Sequence, residues 1–330
     1  MLRRKKPIIS VVIASYNHKD FVKEAINSVL KQTIKNIEVI VIDDGSSDGT
    51  DKIIEQIKDS RLRFIRLGKN RLKHPRNMGI RLAKGEYIAF QNSDDVWQDN
   101  KLELQLKAFL NHKRLAACFT GVNIIDSSGK PAKKTWANDV FTTHNRTSNE
   151  WLRHFFDKGN CLCISSAMVS KKALKKIGLF DESLVQLSDL DLWVRCAAVG
   201  DIYVLDKPLT KMRIIGNDNF SSPNPKSVRR GNMEFVQVLR RFTEKNSRVV
   251  LQEVFPDLLQ NKSSSEVIQQ AHLAKYAWTK SPEHRLFADR LFADLVANTQ
   301  DRNTITGHFG PKIYLEFLSK RANLEMTSHE

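Results

Sequence analysis

Three short acidic segments carry the residues best suited to chemistry. The first is Asp43-Asp44-Gly45-Ser46-Ser47-Asp48-Gly49-Thr50. Carboxylates there can accept hydrogen bonds from a base N–H or a ribose hydroxyl, and the glycines let backbone approach a ligand closely. The same residue types also suit a solvated, helix-capping turn. The second is Asn92-Ser93-Asp94-Asp95. Adjacent carboxylates repel, so a buried pair needs a cation or a proton. Mg²⁺ takes one or two protein carboxylates and completes its octahedron with water and phosphate oxygens, so this motif suits a metal–diphosphate site. A plain N-cap for the helix that follows is the alternative. The third is Ser188-Asp189-Leu190-Asp191-Leu192-Trp193. Its acids stand near the start of an amphipathic helix, where negative charge is favoured. One of them could instead take a proton from an attacking hydroxyl.

The surrounding elements place the first two segments at equivalent positions. Ile8–Ala14 and Ile37–Ile42 are β-branched runs of the kind buried on both faces of a sheet. Arg63–Leu67 and Tyr87–Phe90 read as two further strands. Between them fall helical patterns from about Lys19 (capped by Asn17), over Asp51–Lys58 and over Arg76–Ala83. Strands alternating with helices imply βαβ units and a mainly parallel sheet, in which ligands bind beyond the carboxyl ends of the strands. The polar clusters fall at such ends. Farther on, Ala116–Phe119 and Ile164–Val169 are strand candidates, and Lys171–Ile177 and Asp189–Ala198 helix candidates. The chain after about residue 225 is nearly all helical pattern. The Ser221-Ser222-Pro223-Asn224-Pro225 stretch marks the expected boundary, giving domains 1–222 (halves near 7–115 and 116–222) and 223–330.

Composition narrows the class. In 330 residues, Lys+Arg number 53 and Asp+Glu 37, a formal charge of +16. Residues 50–84 hold eleven Lys/Arg against three acids. Such a chain favours polyanions: nucleic acid, an anionic membrane or a phosphorylated small molecule. No helix-turn-helix, zinc or RNP pattern supports nucleic acid, so none is expected as a partner. No apolar run reaches membrane-spanning length, and the basic start lacks a cleavage pattern, so the expectation is a cytoplasmic protein. The four cysteines show no CxxC and read as buried structural thiols.

Order and spacing over residues 7–215 resemble the inverting family 2 glycosyltransferases of the GT-A fold. The resemblance rests on Pro7–Asn17, Ser28–Thr33, Glu38–Thr50, Pro75–Gly79, Lys84–Phe90 leading into Asn92–Asp95, and Ser188–Trp193. It implies an α/β GT-A architecture, Rossmann-like with a mainly parallel sheet, followed by a C-terminal helical extension. It implies a nucleotide-sugar donor, UDP being the commonest, and a glycan acceptor hydroxyl, often lipid-diphosphate-linked in bacterial relatives of the polysaccharide-building type. By the resemblance, Ala14, Ser15, Tyr16 and Asn17 with Asp43 and Asp44 hold base and ribose. Arg76 and Asn77 lie near ribose and diphosphate, beside Asn92 and Ser93. Asp94, with Asp95 as a weaker participant, binds Mn²⁺ or Mg²⁺. Asp189 is the general base, Asp191 and Trp193 face the acceptor, and Lys211–Ser221 resembles the loop that folds over the donor diphosphate, with Arg213 as a second diphosphate contact.

Two positions depart from the family pattern. Asn92 puts a neutral amide where a carboxylate is common, which leaves the metal to Asp94. Ser188 stands where Glu is frequent, which removes a like charge from beside Asp189. His18 and His74 have no partner at metal-ligand spacing and read as loop residues, either of which could touch a ligand. Residues 225–330 carry sixteen Lys/Arg and twelve Asp/Glu, with Trp278, Phe287, Phe292, Phe309, Tyr314 and Phe317 available for a small core. Packing, oligomer contact, or a basic helix on the inner face of the plasma membrane are the roles open to them. A nucleotidyltransferase, or an inactive relative that only binds sugar nucleotides, are the competing functional readings.

Overall fold

The computed structural model describes residues 6–68, 74–132, 135–141, 144–215, 224–259, 265–317 and 319. The expected loop over the donor, running on to residue 221, and the expected 221–225 boundary fall largely outside them. The described residues divide into two compact units, Met1–Phe155 with Gly159–Val228, and Phe156–Lys158 with Arg229–Glu330.

The first unit is built on one eight-stranded sheet in the order β3-β2-β1-β4-β7-β6-β8-β5. The strands are β1 (Ile9–Ser15), β2 (Ile37–Asp43), β3 (Leu62–Arg66), β4 (Tyr87–Asn92), β5 (Val96–Trp97), β6 (Leu115–Ile125), β7 (Met168–Ser170) and β8 (Asp201–Arg213). Strands β3, β2, β1 and β4 are parallel; β7 runs antiparallel to β4 and β6, and β6 is parallel to β8. The chain leaves β1 toward β2 and β3, then returns to β4 on its other side. That makes the carboxyl end of β1 a topological switch point, where open α/β sheets bind ligands.

The helices of this unit are α1 (Val22–Leu30), α2 (Thr50–Glu55), α3 (His74–Leu82), α4 (Lys101–Asn111), α5 (Ser148–Lys158), α6 (Lys171–Ile177) and α7 (Ser188–Ala197). Helix α1 turns Val22, Ile26 and Val29 onto Val11, Ile13, Val39 and Val41. Helix α3 comes close to β1 because Gly79 has no side chain: a Cβ there would stand 2.3 Å from Val12 Cγ1. Two elements differ from the sequence pattern. The Ile164–Val169 run splits into a 3-10 turn (Ile164–Ser166) and the short β7, because Ser165 and Ser166 are buried to make hydrogen bonds. Strand β8 is hidden in the sequence by Asp206, Lys207 and Pro208, which are exposed where its register with β6 slips.

The second unit holds most of α8 (Pro225–Arg240) with α9 (Leu251–Val254), α10 (Glu266–Trp278), α11 (Pro282–Ala297) and α12 (Thr299–Phe309). Its core centres on Phe156, whose ring lies 5.0 Å from Phe242, 5.1 Å from Phe255 and 5.9 Å from Phe287. Tyr276 donates to Asp157 Oδ1 at 2.7 Å, and His284 Nε2 meets the Phe156 carbonyl at 2.7 Å. Phe292 and Phe317 stack at 3.8 Å. Tyr314, expected in this core, is instead 41% exposed. Among the described residues no helix is long and apolar enough to cross a membrane. All four cysteines are buried, and no disulfide joins them.

One buried group is unexpected. Lys101 is fully enclosed; its Nζ donates to Gln105 Oε1 at 2.9 Å and sits 3.8 Å over the Trp97 ring. Burial lowers its pKa to about 7, against about 10.4 in an unfolded chain. Between those values the unfolded state holds the extra proton. Stability from this group therefore rises with pH across that window, and its full cost is felt below it. Lys101→Met should gain its largest advantage in melting temperature over the parent near neutrality, and calorimetric scans should show that advantage shrinking steadily toward pH ~10. A constant offset throughout would contradict this titration.

Candidate active site

A cleft of about 750 Å³ opens at the carboxyl ends of β1, β2 and β4. Ala14–His18 and Asp44 line it at the ends of β1 and β2, Pro75 and Arg76 from the start of α3, and Asn92–Asp94 from the end of β4. Gln186, Ser188 and Asp189 line it from the start of α7. Asp94 and Asp189 thus face one cavity, although the chain separates them by three strands, three α-helices and a 3-10 turn.

The β1 and β2 loops are zipped to each other. Asn17 adopts a left-handed conformation (φ 49°), which Asn tolerates better than most residues. Its backbone N–H donates to Ser46 Oγ at 2.8 Å, and its side-chain oxygen accepts from the Ser47 N–H at 2.9 Å. The His18 and Lys19 N–H groups donate to Thr50 Oγ1 (2.9 Å) and Asp48 Oδ2 (3.0 Å). Asn17 therefore braces two loops where a helix cap was expected. Asp43 is fully buried and accepts from the Ser46 N–H and hydroxyl, so it shapes the turn and leaves the cleft to Asp44. Ser15 lines the cleft with its hydroxyl buried and, among the described residues, without a hydrogen-bond partner. Tyr16 is 44% exposed beside it.

On the β4 side the two aspartates differ. Asp95 is spent internally: it accepts from the Ser165 hydroxyl, from Asn92 Nδ2 at 3.3 Å and from the Arg213 N–H at 2.9 Å. It does not line the cleft. Asp94 does, and among the described residues no other residue donates a hydrogen bond to its carboxylate. Burial pushes the pKa of both upward, Asp95 further raised by its neighbour, while Arg213 and Arg76 oppose the shift at Asp94. Arg76 donates to Asn92 Oδ1 at 3.0 Å. Burial lowers its own pKa, opposed by Asp189, Asp94 and Asp95 around it. Ser93 Oγ meets His18 Nδ1 at 2.7 Å, and burial lowers the His18 pKa.

Across the cleft, burial raises Asp189 to about 6. The Leu190 N–H (2.8 Å), the Arg76 charge and Asn160 Nδ2 (3.0 Å) hold it from rising further. Asp191 and Trp193, expected to face an acceptor, do not line this cleft. Two residues along a helix is a turn of about 200°, so a neighbour at that spacing points away. Asp191 pairs with Arg195, which also donates to the Ile177 and Leu179 carbonyls. Trp193 is fully buried, edge-on to Phe119 at 4.7 Å.

Asn77 and Arg213 are also placed differently from expectation. Asn77 is buried; its amide donates to the Phe180 carbonyl (2.9 Å) and accepts from the Phe180 N–H (3.0 Å). Arg213 is 2% exposed and clamps three other segments. It donates to the carbonyls of Asp94 (2.9 Å), Asp126 (3.1 Å) and Ser127 (3.2 Å), and to Glu24 Oε2 (2.7 Å). Its guanidinium is occupied and does not line the cleft. His18, Phe21, Gln186, Met212 and Ile215 do line it. The sequence offered His18 as a residue able to touch a ligand, and Met212 and Ile215 within the expected loop over the donor; Phe21 and Gln186 carried no signal.

A divalent ion fits the donors in a limited way. Asp94 supplies one unspent carboxylate, enough where phosphate oxygens and water fill the other positions. Among the described residues no group of three or more His, Cys, Asp or Glu converges as a ligand set.

Comparison with known proteins agrees with this fold. Residues 10–178 match the model of Glycosyl transferase family 2. An uncharacterized glycosyltransferase of Methanocaldococcus jannaschii is 34% identical over 66% of this chain and 74% of the relative. The putative teichuronic acid biosynthesis glycosyltransferase TuaG of Bacillus subtilis is 30% identical over 64% of this chain and 81% of the relative. An uncharacterized glycosyltransferase of Rickettsia felis is 33% identical, but the match spans only 35% of its length. In three dimensions the chain superposes on S. aureus TarS in complex with UDP-GlcNAc (TM-score 0.58, 19% identity, covering 96% and 88% of the two chains). It also superposes on the mannosyltransferase PcManGT of Pyrobaculum calidifontis in complex with GDP-Man and Mn²⁺ (TM-score 0.50, 15% identity, 98% and 84%). The chain belongs to glycosyltransferase family 2 and has the GT-A fold.

The Arg213 clamp makes a direct prediction. Arg213→Met strands buried carbonyls and should lower the melting temperature by several degrees in thermal scans. An unchanged melting temperature would contradict the clamp.

Proposed function

We propose that this chain is an inverting glycosyltransferase that moves a hexosyl or N-acetylhexosaminyl group from a nucleoside-diphosphate sugar, UDP favoured, to an acceptor hydroxyl. The product is a cell-surface polysaccharide such as an O-antigen or capsule. The transferase machinery lies within residues 1–222, with the donor held by 7–115 and the acceptor by 116–222. The observation that carries this reading is that Asp94 and Asp189 line one cleft at the switch point of the sheet. The match to TuaG supports the polysaccharide setting, and the UDP-GlcNAc complex of TarS supports the base.

The donor's base and ribose lie along Ala14–Asn17 and Asp44, where Ser15 offers a buried hydroxyl without a partner among the described residues. Arg76, held by Asn92, presents positive charge toward the diphosphate. Mn²⁺ or Mg²⁺, held by Asp94 and the diphosphate, would supply Lewis-acid neutralisation of the charge on the leaving group. Asp189 accepts the proton of the acceptor hydroxyl as that oxygen bonds to the anomeric carbon. The bond from that carbon to the diphosphate breaks on the opposite face, and its electron pair leaves with the diphosphate. The transition state is oxocarbenium-like, as in glycoside hydrolysis. The acceptor is a glycan hydroxyl, lipid-diphosphate-linked in our reading, presented at the inner face of the membrane.

The test is UDP release from a panel of UDP-sugars with Mn²⁺. Asp189→Asn should cut turnover ~10²–10⁴-fold while UDP binding persists. Because Asp189 acts as the carboxylate and titrates near 6, parent turnover should fall as pH drops through about 6. Near-parent turnover in Asp189→Asn would remove it from the base role. Asp94→Asn should weaken UDP binding in Mn²⁺ and leave it unchanged in EDTA.

A further inference from the structure

Helix α5 ends at Gly159, which takes a positive φ of 81°. The next residue, Asn160, reaches Asp189 across 29 positions of sequence. Its Nδ2 donates to Asp189 Oδ2 at 3.0 Å, while its Oδ1 accepts from the Leu162 N–H at 3.0 Å. The two bonds use opposite ends of one amide. Flipping it would put oxygen against the carboxylate and NH₂ against an N–H, losing both. Asp189 Oδ1 takes the Leu190 N–H at 2.8 Å. Two donors from different segments therefore fix the plane of this carboxylate. The charged or titratable groups facing it are Arg76 from α3 and the Cys163 thiol just before the 3-10 turn.

We propose that Asn160 is a positioning residue for Asp189, holding the carboxylate in one orientation and in its charged form. This rests on the reading of Asp189 as the general base. A base must present a lone pair along one line to the hydroxyl it deprotonates, and a freely rotating carboxylate does so only part of the time. A donor hydrogen bond to the ionised form also keeps it available as a base at lower pH. No motif in the sequence marks Asn160; only the fold brings it to Asp189.

Two variants separate this role from a local structural one. Asn160→Asp keeps the acceptor for Leu162 but turns a second carboxylate toward Asp189. Asn160→Ala removes both bonds. A residue that only served the Leu162 turn would tolerate Asp better than Ala. The measurement is a ¹³C NMR titration of the protein labelled at aspartate Cγ, the Asp189 signal being assigned by its loss in Asp189→Asn. The Asp189 midpoint should rise in Asn160→Ala and by about one unit or more in Asn160→Asp. UDP release from whichever UDP-sugar the parent turns over should fall ~10-fold in Ala and more in Asp, with KM for the donor nearly constant. Should the Asp variant not fold, the midpoint in Asn160→Ala decides alone. An unmoved midpoint in the folded variants overturns the proposal. Turnover surviving in Asp189→Asn would instead sink the base reading while leaving the titration result standing.

Discussion

Two neighbouring carboxylates sit buried at the end of a β-strand, and the site is arranged around the difference between them. Like charges so close cannot both stay ionised in a low-dielectric setting without compensation. The protein resolves this by dividing the labour. Asp95 is given donors from Ser165, Asn92 and the Arg213 backbone, which tie β4, the 3-10 turn and β8 together. Asp94 is left unspent and turned into the cleft. The structural aspartate holds the turn in shape, and the turn aims the functional one.

Much of this was legible in the sequence, for a definite reason. The strands around the site are short β-branched runs that announce themselves, and the acidic clusters follow them directly. Their location at the carboxyl end of the sheet thus follows from βαβ topology alone. Which member of each acidic pair faces the ligand was not legible. Asp43 and Asp44 are adjacent in sequence, yet one is consumed by its own turn. Asp189 and Asp191 lie on different sides of one helix, and Asp191 answers to Arg195. The family resemblance located the segments; side-chain direction needed the structure.

Residues whose part depends on distant contacts were the least legible. Asn77 to Phe180, Arg213 to Glu24 and Asn160 to Asp189 join positions 103, 189 and 29 residues apart. Arg213 illustrates the difficulty. A cation beside a diphosphate site reads naturally as a phosphate ligand, but this one has its donors committed to carbonyls and Glu24. Lys101 makes the same point from the core: a charged residue type at a helix start gave no sign of its enclosure by Trp97 and Gln105.

The last turn of α5 has an evolutionary corollary. Phe156, Asp157 and Lys158 are contributed to the helical unit by a stretch of chain that otherwise belongs to the sheet. No single crossover can therefore exchange the C-terminal helices between relatives as a clean module. A recombinant inheriting foreign helices would keep its own Phe156 and Asp157, matched to aromatic and tyrosine partners it had lost. Divergence of these helices must then proceed in step with three residues carried by the other unit's stretch of chain.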